Sequence, residues 1–104
     1  MVCLTVFYPA TPGSRFDWDY YLGAHVALAH RLLDPHGLVR IEIKRGIDGF
    51  PPGSPAPYQA VAHLFFHSVQ ELESALGATA PELAADVANY TDVPTQVQVS
   101  EIML

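Results

Sequence analysis

The sequence predicts an α+β domain with the element order β-α-β-β-α-β, for three reasons. Residues 39–46 (VRIEIKRG) and 95–104 (TQVQVSEIML) alternate apolar and polar side chains, as half-buried strands do. Residues 2–8 (VCLTVFY) and 58–66 (YQAVAHLFF) are rich in β-branched and aromatic side chains. Amphipathic stretches at helical spacing, each with a capping residue in front, follow the first and third of these segments. The 104 residues, half of them apolar, predict one domain, 1–104.

Each element has its own signals. The first strand stops at Pro9, and ATPGSR makes a loop. Asp17 caps the next helix, and Asp19 places a negative charge in its first turn. Leu22, Val26, Ala29 and Leu33 form one apolar stripe, with Tyr21, His25, Leu28 and Leu32 beside it. Gly23 costs such a helix ~1 kcal/mol, which suggests close approach of another backbone. Pro35 and Gly37 end it. Strand two puts Val39, Ile41 and Ile43 on one face and Arg40, Glu42 and Lys44 on the other. IDGFPPGSPAP, with four prolines, is a loop. Strand three is apolar on both faces, as a central strand is. Ser68 and Glu71 make a capping box for a short helix that Gly77 ends. Thr79 and Glu82 repeat that spacing, predicting a second short helix.

This order is the ferredoxin-like one, a single antiparallel sheet with helices on one face. Strands one and four carry apolar side chains on both faces, so the uncovered sheet face is expected to pair with a second copy as a homodimer.

Composition removes several classes of function. Eleven acids against five Lys and Arg give a charge of −6, and the basic residues are scattered. That is too thin a patch for nucleic acid, and it disfavours an anionic membrane surface. No apolar run approaches a membrane span, and the first residues lack a basic start and cleavage signature, so a cytoplasmic location is expected. The single Cys3 forms no internal disulfide and reads as a buried thiol. No metal-ligand spacing, phosphate-binding glycine loop or flavin signature occurs, so no metal or cofactor is expected.

His25 is the leading candidate for chemistry. It flanks the sheet-facing stripe one turn after Tyr21, where a neutral imidazole can act as base or donor near pH 7, or simply pack on aromatics. His30 falls on the outer side. His63 alternates with Val61 and Phe65, so it belongs to core or pocket. In NYTDVP (89–94), Asp92 can orient an imidazole, bind a substrate hydroxyl or bond its own turn.

Taken in order, DYYLGAHVAL, PGSPAPYQAVAHLFF, SVQELESAL and ANYTDVPTQVQVSEI resemble the EthD family over nearly the whole chain. That resemblance implies ferredoxin-like subunits whose sheets pair into a dimeric α/β barrel. Families of that fold include cofactor-independent monooxygenases, isomerases, dehydratases and stress-responsive proteins. It places the family's histidine at His25, its tyrosine pair at Tyr20 and Tyr21, its Thr-Asp pair at Thr91 and Asp92, and its strand histidine at His63. Gly23 departs from the family, where many members carry a polar residue.

Together, residues and resemblance predict a pocket between the first helix and the sheet, walled by Phe7, Tyr21, Phe65 and Tyr90. It would take a small aromatic or lactone-like molecule. His25 would abstract or relay a proton, Asp92 or His63 would orient its ring or bind a substrate oxygen, and His63 or a tyrosine would stabilise an enolate-like oxygen. The competing reading is a non-catalytic binding protein or accessory subunit with His25 as anchor.

Overall fold

A computed structural model describes all 104 residues. Strand β1 (Val2–Pro9) leads to α1 (Trp18–Tyr20), a π-helical turn (Tyr21–His25) and α2 (Val26–Leu33), which run on as one helix. Strands β2 (Arg40–Arg45) and β3 (Tyr58–Phe66) follow, then α3 (Val69–Asp86), a 3₁₀ turn (Val87–Asn89) and β4 (Gln96–Glu101). The strand order is β2-β3-β1-β4, with every neighbouring pair antiparallel. This is the expected ferredoxin-like β-α-β-β-α-β arrangement around one sheet.

Side-chain alternation sorts the two faces. Val2, Leu4 and Tyr8 of β1 and Ala60, Ala62, Leu64 and Phe66 of β3 form one core with Tyr21, Ala29 and Leu33 of the first helix and Leu72 and Ala75 of α3. Gly37, at φ 96°, supplies the left-handed turn that ends the 3₁₀ extension of α2. Asp17 caps α1, its carboxylate accepting from the Tyr20 N–H at 3.1 Å. Ser68 caps α3, its hydroxyl accepting from the Glu71 N–H at 3.2 Å.

Several expectations need correction. The sheet is open: β2 and β4 each have one neighbour and do not pair, so no barrel closes. The opposite face is not the apolar surface expected to hold a second copy. Register places Arg40, Glu42 and Lys44 along one edge and Gln96, Gln98 and Ser100 along the other. Cys3, Thr5 and Phe7 lie between them, opposite Phe65, His63 and Val61. The Arg40 guanidinium lies 3.9 Å from the centre of the Phe65 ring and shields it. β4 ends at Glu101, and Ile102, whose N–H donates to the Met1 carbonyl at 3.0 Å, lies beside Cys3, Thr5, His63 and Phe65 on this face. This face is thus mixed, polar along its edges and apolar in part along its centre, and the single chain shows no specific homodimer interface on it.

The predicted break in the second helix is also absent. Gly77 is an exposed interior residue of α3 with open space around it. Thr79 is buried, and its hydroxyl donates to the Ala75 carbonyl at 2.8 Å instead of capping. Pro81 is inside the helix, where it removes one donor. The helix runs through both the glycine and the proline, which cost about 1 and 3 kcal/mol in a helix interior, while burying Leu72, Ala75 and Thr79 on one side. No backbone approaches Gly23, whose surroundings are open. No helix is long and apolar enough to cross a membrane.

Candidate active site

A cavity of about 250 Å³ lies between the helices and the sheet. Leu4, Val6, Ala62 and Leu64 form its floor, and Val26, Leu76 and Leu83 are among the helical residues above. Four alanines, Ala29, Ala62, Ala80 and Ala84, line it and leave the space unfilled. A concave apolar hollow of this size with a few polar groups is the usual form of a small-molecule site. Its lining includes no Lys, Arg, Asp or Glu; the residues there that carry polar side-chain groups are Tyr8, Tyr21, Tyr90, Thr95 and His25.

The π-helical turn sets two of these groups. The Val26 N–H reaches back to the Tyr21 carbonyl, one residue further than in an α-helix. The wider turn holds Tyr21 and His25 on one side, their rings stacked at 17° with centroids 5.6 Å apart. Tyr90 arrives from the other end of the chain. Its backbone carbonyl accepts from the Asp17 N–H at 2.7 Å, and Phe16 and Thr91 form an isolated bridge. The Thr91 hydroxyl donates to the Arg15 carbonyl at 2.7 Å, and Asp92 Oδ1 accepts from the Arg15 N–H at 2.9 Å. These bonds fasten the segment after α3 to the start of α1.

His25 belongs to a continuous polar chain. Its Nδ1 is 2.8 Å from Asp86 Oδ2, and each side chain is 13% exposed. Asp86 Oδ1 also accepts from the Tyr20 hydroxyl at 2.6 Å and from Asn89 Nδ2 at 2.9 Å. Burial alone would raise the Asp86 pKa, but the hydrogen bonds from Tyr20, His25 and Asn89 outweigh it and hold the carboxyl below its ordinary value. An ionised carboxylate only accepts, so His25 Nδ1 carries the hydrogen and Nε2 carries the lone pair in the neutral ring. Nε2 lies 3.4 Å from the Tyr90 hydroxyl, which lies 2.8 Å from that of Tyr8. Burial raises the pKa of Tyr8, Tyr21 and Tyr90 beyond the ordinary phenol range, so all three stay protonated.

Of the predicted site residues, His25, Tyr21 and Tyr90 line this cavity. Phe7, Phe65 and His63 lie on the opposite sheet face, because odd-numbered positions of β1 and β3 point away from the helices. There His63 Nδ1 is 3.1 Å from the Thr5 hydroxyl and 3.6 Å from Cys3 Sγ, while its Nε2 has no partner. Burial, then the nearby Lys44 charge, lower the His63 pKa. Asp92 is bonded to the Arg15 backbone; the carboxylate that meets His25 is Asp86.

Sequence reasoning missed Asp86 and Tyr8. Asp86 is the one charged residue between Glu82 and Asp92, and it sits in the last turn of a helix, where the helix dipole disfavours a negative charge. That local misfit was the available signal. Tyr8 looked like the end of a strand.

The fold and site define a small ferredoxin-like protein with a half-buried His-Asp pair beside an apolar cavity. Residues 14–94 match the EthD domain model, and the chain belongs to the EthD family. It is similar to an EthD-like protein from Ralstonia eutropha JMP134, at 28% identity and a TM-score of 0.91, over 99% of this chain and 92% of that one. It shares its fold with an EthD family protein from Bacillus halodurans C-125 (17% identity, TM-score 0.72, 99% of each chain). The same holds for SnoaB, a cofactor-independent oxygenase from Streptomyces nogalater (11% identity, TM-score 0.64, 99% of this chain and 92% of that one). No curated protein sequence matches the chain significantly.

Proposed function

We propose that this protein is a cofactor-independent enzyme that removes a proton from an apolar aromatic or lactone-like molecule, with His25 as the base. The observation that carries this reading is the His25 ring itself. Asp86 holds Nδ1 at 2.8 Å, and the ring lines an otherwise apolar cavity of about 250 Å³. Asp86 stabilises the imidazolium formed when Nε2 takes the proton. The apolar walls beside the half-buried pair lower the local dielectric and strengthen that attraction.

The size suits one substituted ring or two fused rings, since a cavity of ~150 Å³ already admits benzene. Carboxylates and phosphates fit poorly, because no cationic side chain lines the cavity. The anion made at this site has three fates within the proposed class. It can take back the proton at another atom as an isomerase product, expel hydroxide that leaves as water, or donate an electron to dioxygen as oxidant. The fold shared with SnoaB, itself a cofactor-independent oxygenase, favours the third.

The test is a panel of small phenols, quinols and unsaturated lactones presented to wild type and His25→Ala. NMR follows binding, and mass spectrometry follows conversion. Turnover by wild type, lost in a folded His25→Ala variant, is the expected result. Binding to both proteins without conversion would replace the enzyme by a ligand carrier or accessory subunit.

A further inference from the structure

Proton transfer to His25 leaves a negative charge on the ligand, and something in the cavity must meet it. Lys, Arg and backbone-amide clusters are not available there, and His63 lies across the sheet. The remaining donors are hydroxyls. We propose that the Tyr90 hydroxyl is the anion-binding donor of this site: its proton points at His25 Nε2 in the free protein and turns onto the ligand's oxygen once Nε2 is protonated, with Tyr8 anchoring Tyr90 from behind. This inference rests on His25 acting as the base.

Proton counting supports the turn. A hydroxyl has one hydrogen and two lone pairs. With Nδ1–H given to Asp86, Nε2 can only accept, so Tyr90 donates to Nε2 and Tyr8 donates to Tyr90. Two hydroxyl hydrogens then satisfy both contacts. When Nε2 gains a proton, two donors face one another across that 3.4 Å contact, and Tyr90 must turn away. The contact is long, so little energy opposes the change. The 2.8 Å contact to Tyr8 is short and keeps the Tyr90 oxygen in place. Both tyrosines are buried side chains of the cavity's lining. Their raised pKa values keep them donors throughout.

The arrangement also specifies the ligand. Its acidic group must be a hydroxyl of a phenol or enol, or must place charge on a carbonyl oxygen when a neighbouring C–H is lost. The oxygen must reach both Nε2 and the Tyr90 oxygen. The rest of the molecule must be uncharged.

4-Nitrophenol tests this directly, because its anion absorbs visibly and its neutral form does not. 4-Nitroanisole, which has no acidic proton, serves as the control. At a pH where free 4-nitrophenol is mostly neutral, wild type should bind it as the coloured anion. Tyr90→Phe keeps the ring, so 4-nitroanisole binding should be unchanged while affinity for the anion falls about tenfold or more. Tyr8→Phe keeps the donor and removes only its anchor, and should give a smaller loss. His25→Ala should bind the probe colourless. Wild-type anion binding by both tyrosine variants would overturn the role of Tyr90 and leave His25 as base. Anion formation in His25→Ala, or no binding of either probe to wild type, would overturn the His25 reading and this inference with it.

Discussion

Replacing Asp86 by asparagine should reverse the His25 ring's hydrogen without unfolding the protein. The geometry dictates which way the amide faces. Tyr20 and Asn89 both donate to Oδ1, whereas His25 meets Oδ2. The amide oxygen of Asp86→Asn keeps the two donors, so its NH₂ faces His25 Nδ1. Nδ1 must then accept, and the hydrogen moves to Nε2, the atom that has to be free to act as base. The substitution exchanges charge-assisted bonds for neutral ones in a largely buried site, a loss of ~1–2 kcal/mol. Catalysis should suffer more, by roughly 10²–10⁴-fold, the usual contribution of a positioned base. Long-range ¹H–¹⁵N NMR of the imidazole nitrogens reads the tautomer with no ligand present. Wild type should carry the hydrogen on Nδ1 and Asp86→Asn on Nε2. An Nδ1–H ring in both proteins would refute the assignment of Asp86 as the positioning residue.

Two further outcomes follow from the same geometry. The Asp86 carboxyl has its pKa lowered in the folded state, so its stabilising contribution is complete above the unfolded value of about 3.9 and is lost as pH falls through the lower folded value. Urea unfolding of wild type and Asp86→Asn should therefore differ near pH 5 and converge in stronger acid, as the carboxyl takes up its proton; a gap that persists unchanged into strong acid would contradict this. Ala80→Leu should fill part of the cavity, raise stability by up to ~2 kcal/mol through the buried carbons and abolish 4-nitrophenol binding. Unimpaired binding by that variant would place the ligand elsewhere.

Local chemistry was enough for much of this protein. Alternation along residues 40–45 and 96–101 marked two strands, and Asp17 and Ser68 marked two helix starts, because these signals act within a few residues. His25 stood out through its place beside an apolar stripe. Tertiary structure decided the rest. The helix α3 runs on through Gly77, Thr79 and Pro81, and only the packed fold shows that Leu72, Ala75 and Thr79 are buried along one side of it. A one-residue alternation divided β1 and β3 between two faces, sending Tyr8 to the cavity and Phe7 and His63 away. The pairing of His25 with Asp86 spans 61 positions, a separation that no local pattern encodes. The cavity has the same origin, since alanines from a strand and two helices make a void only once the fold sets them face to face.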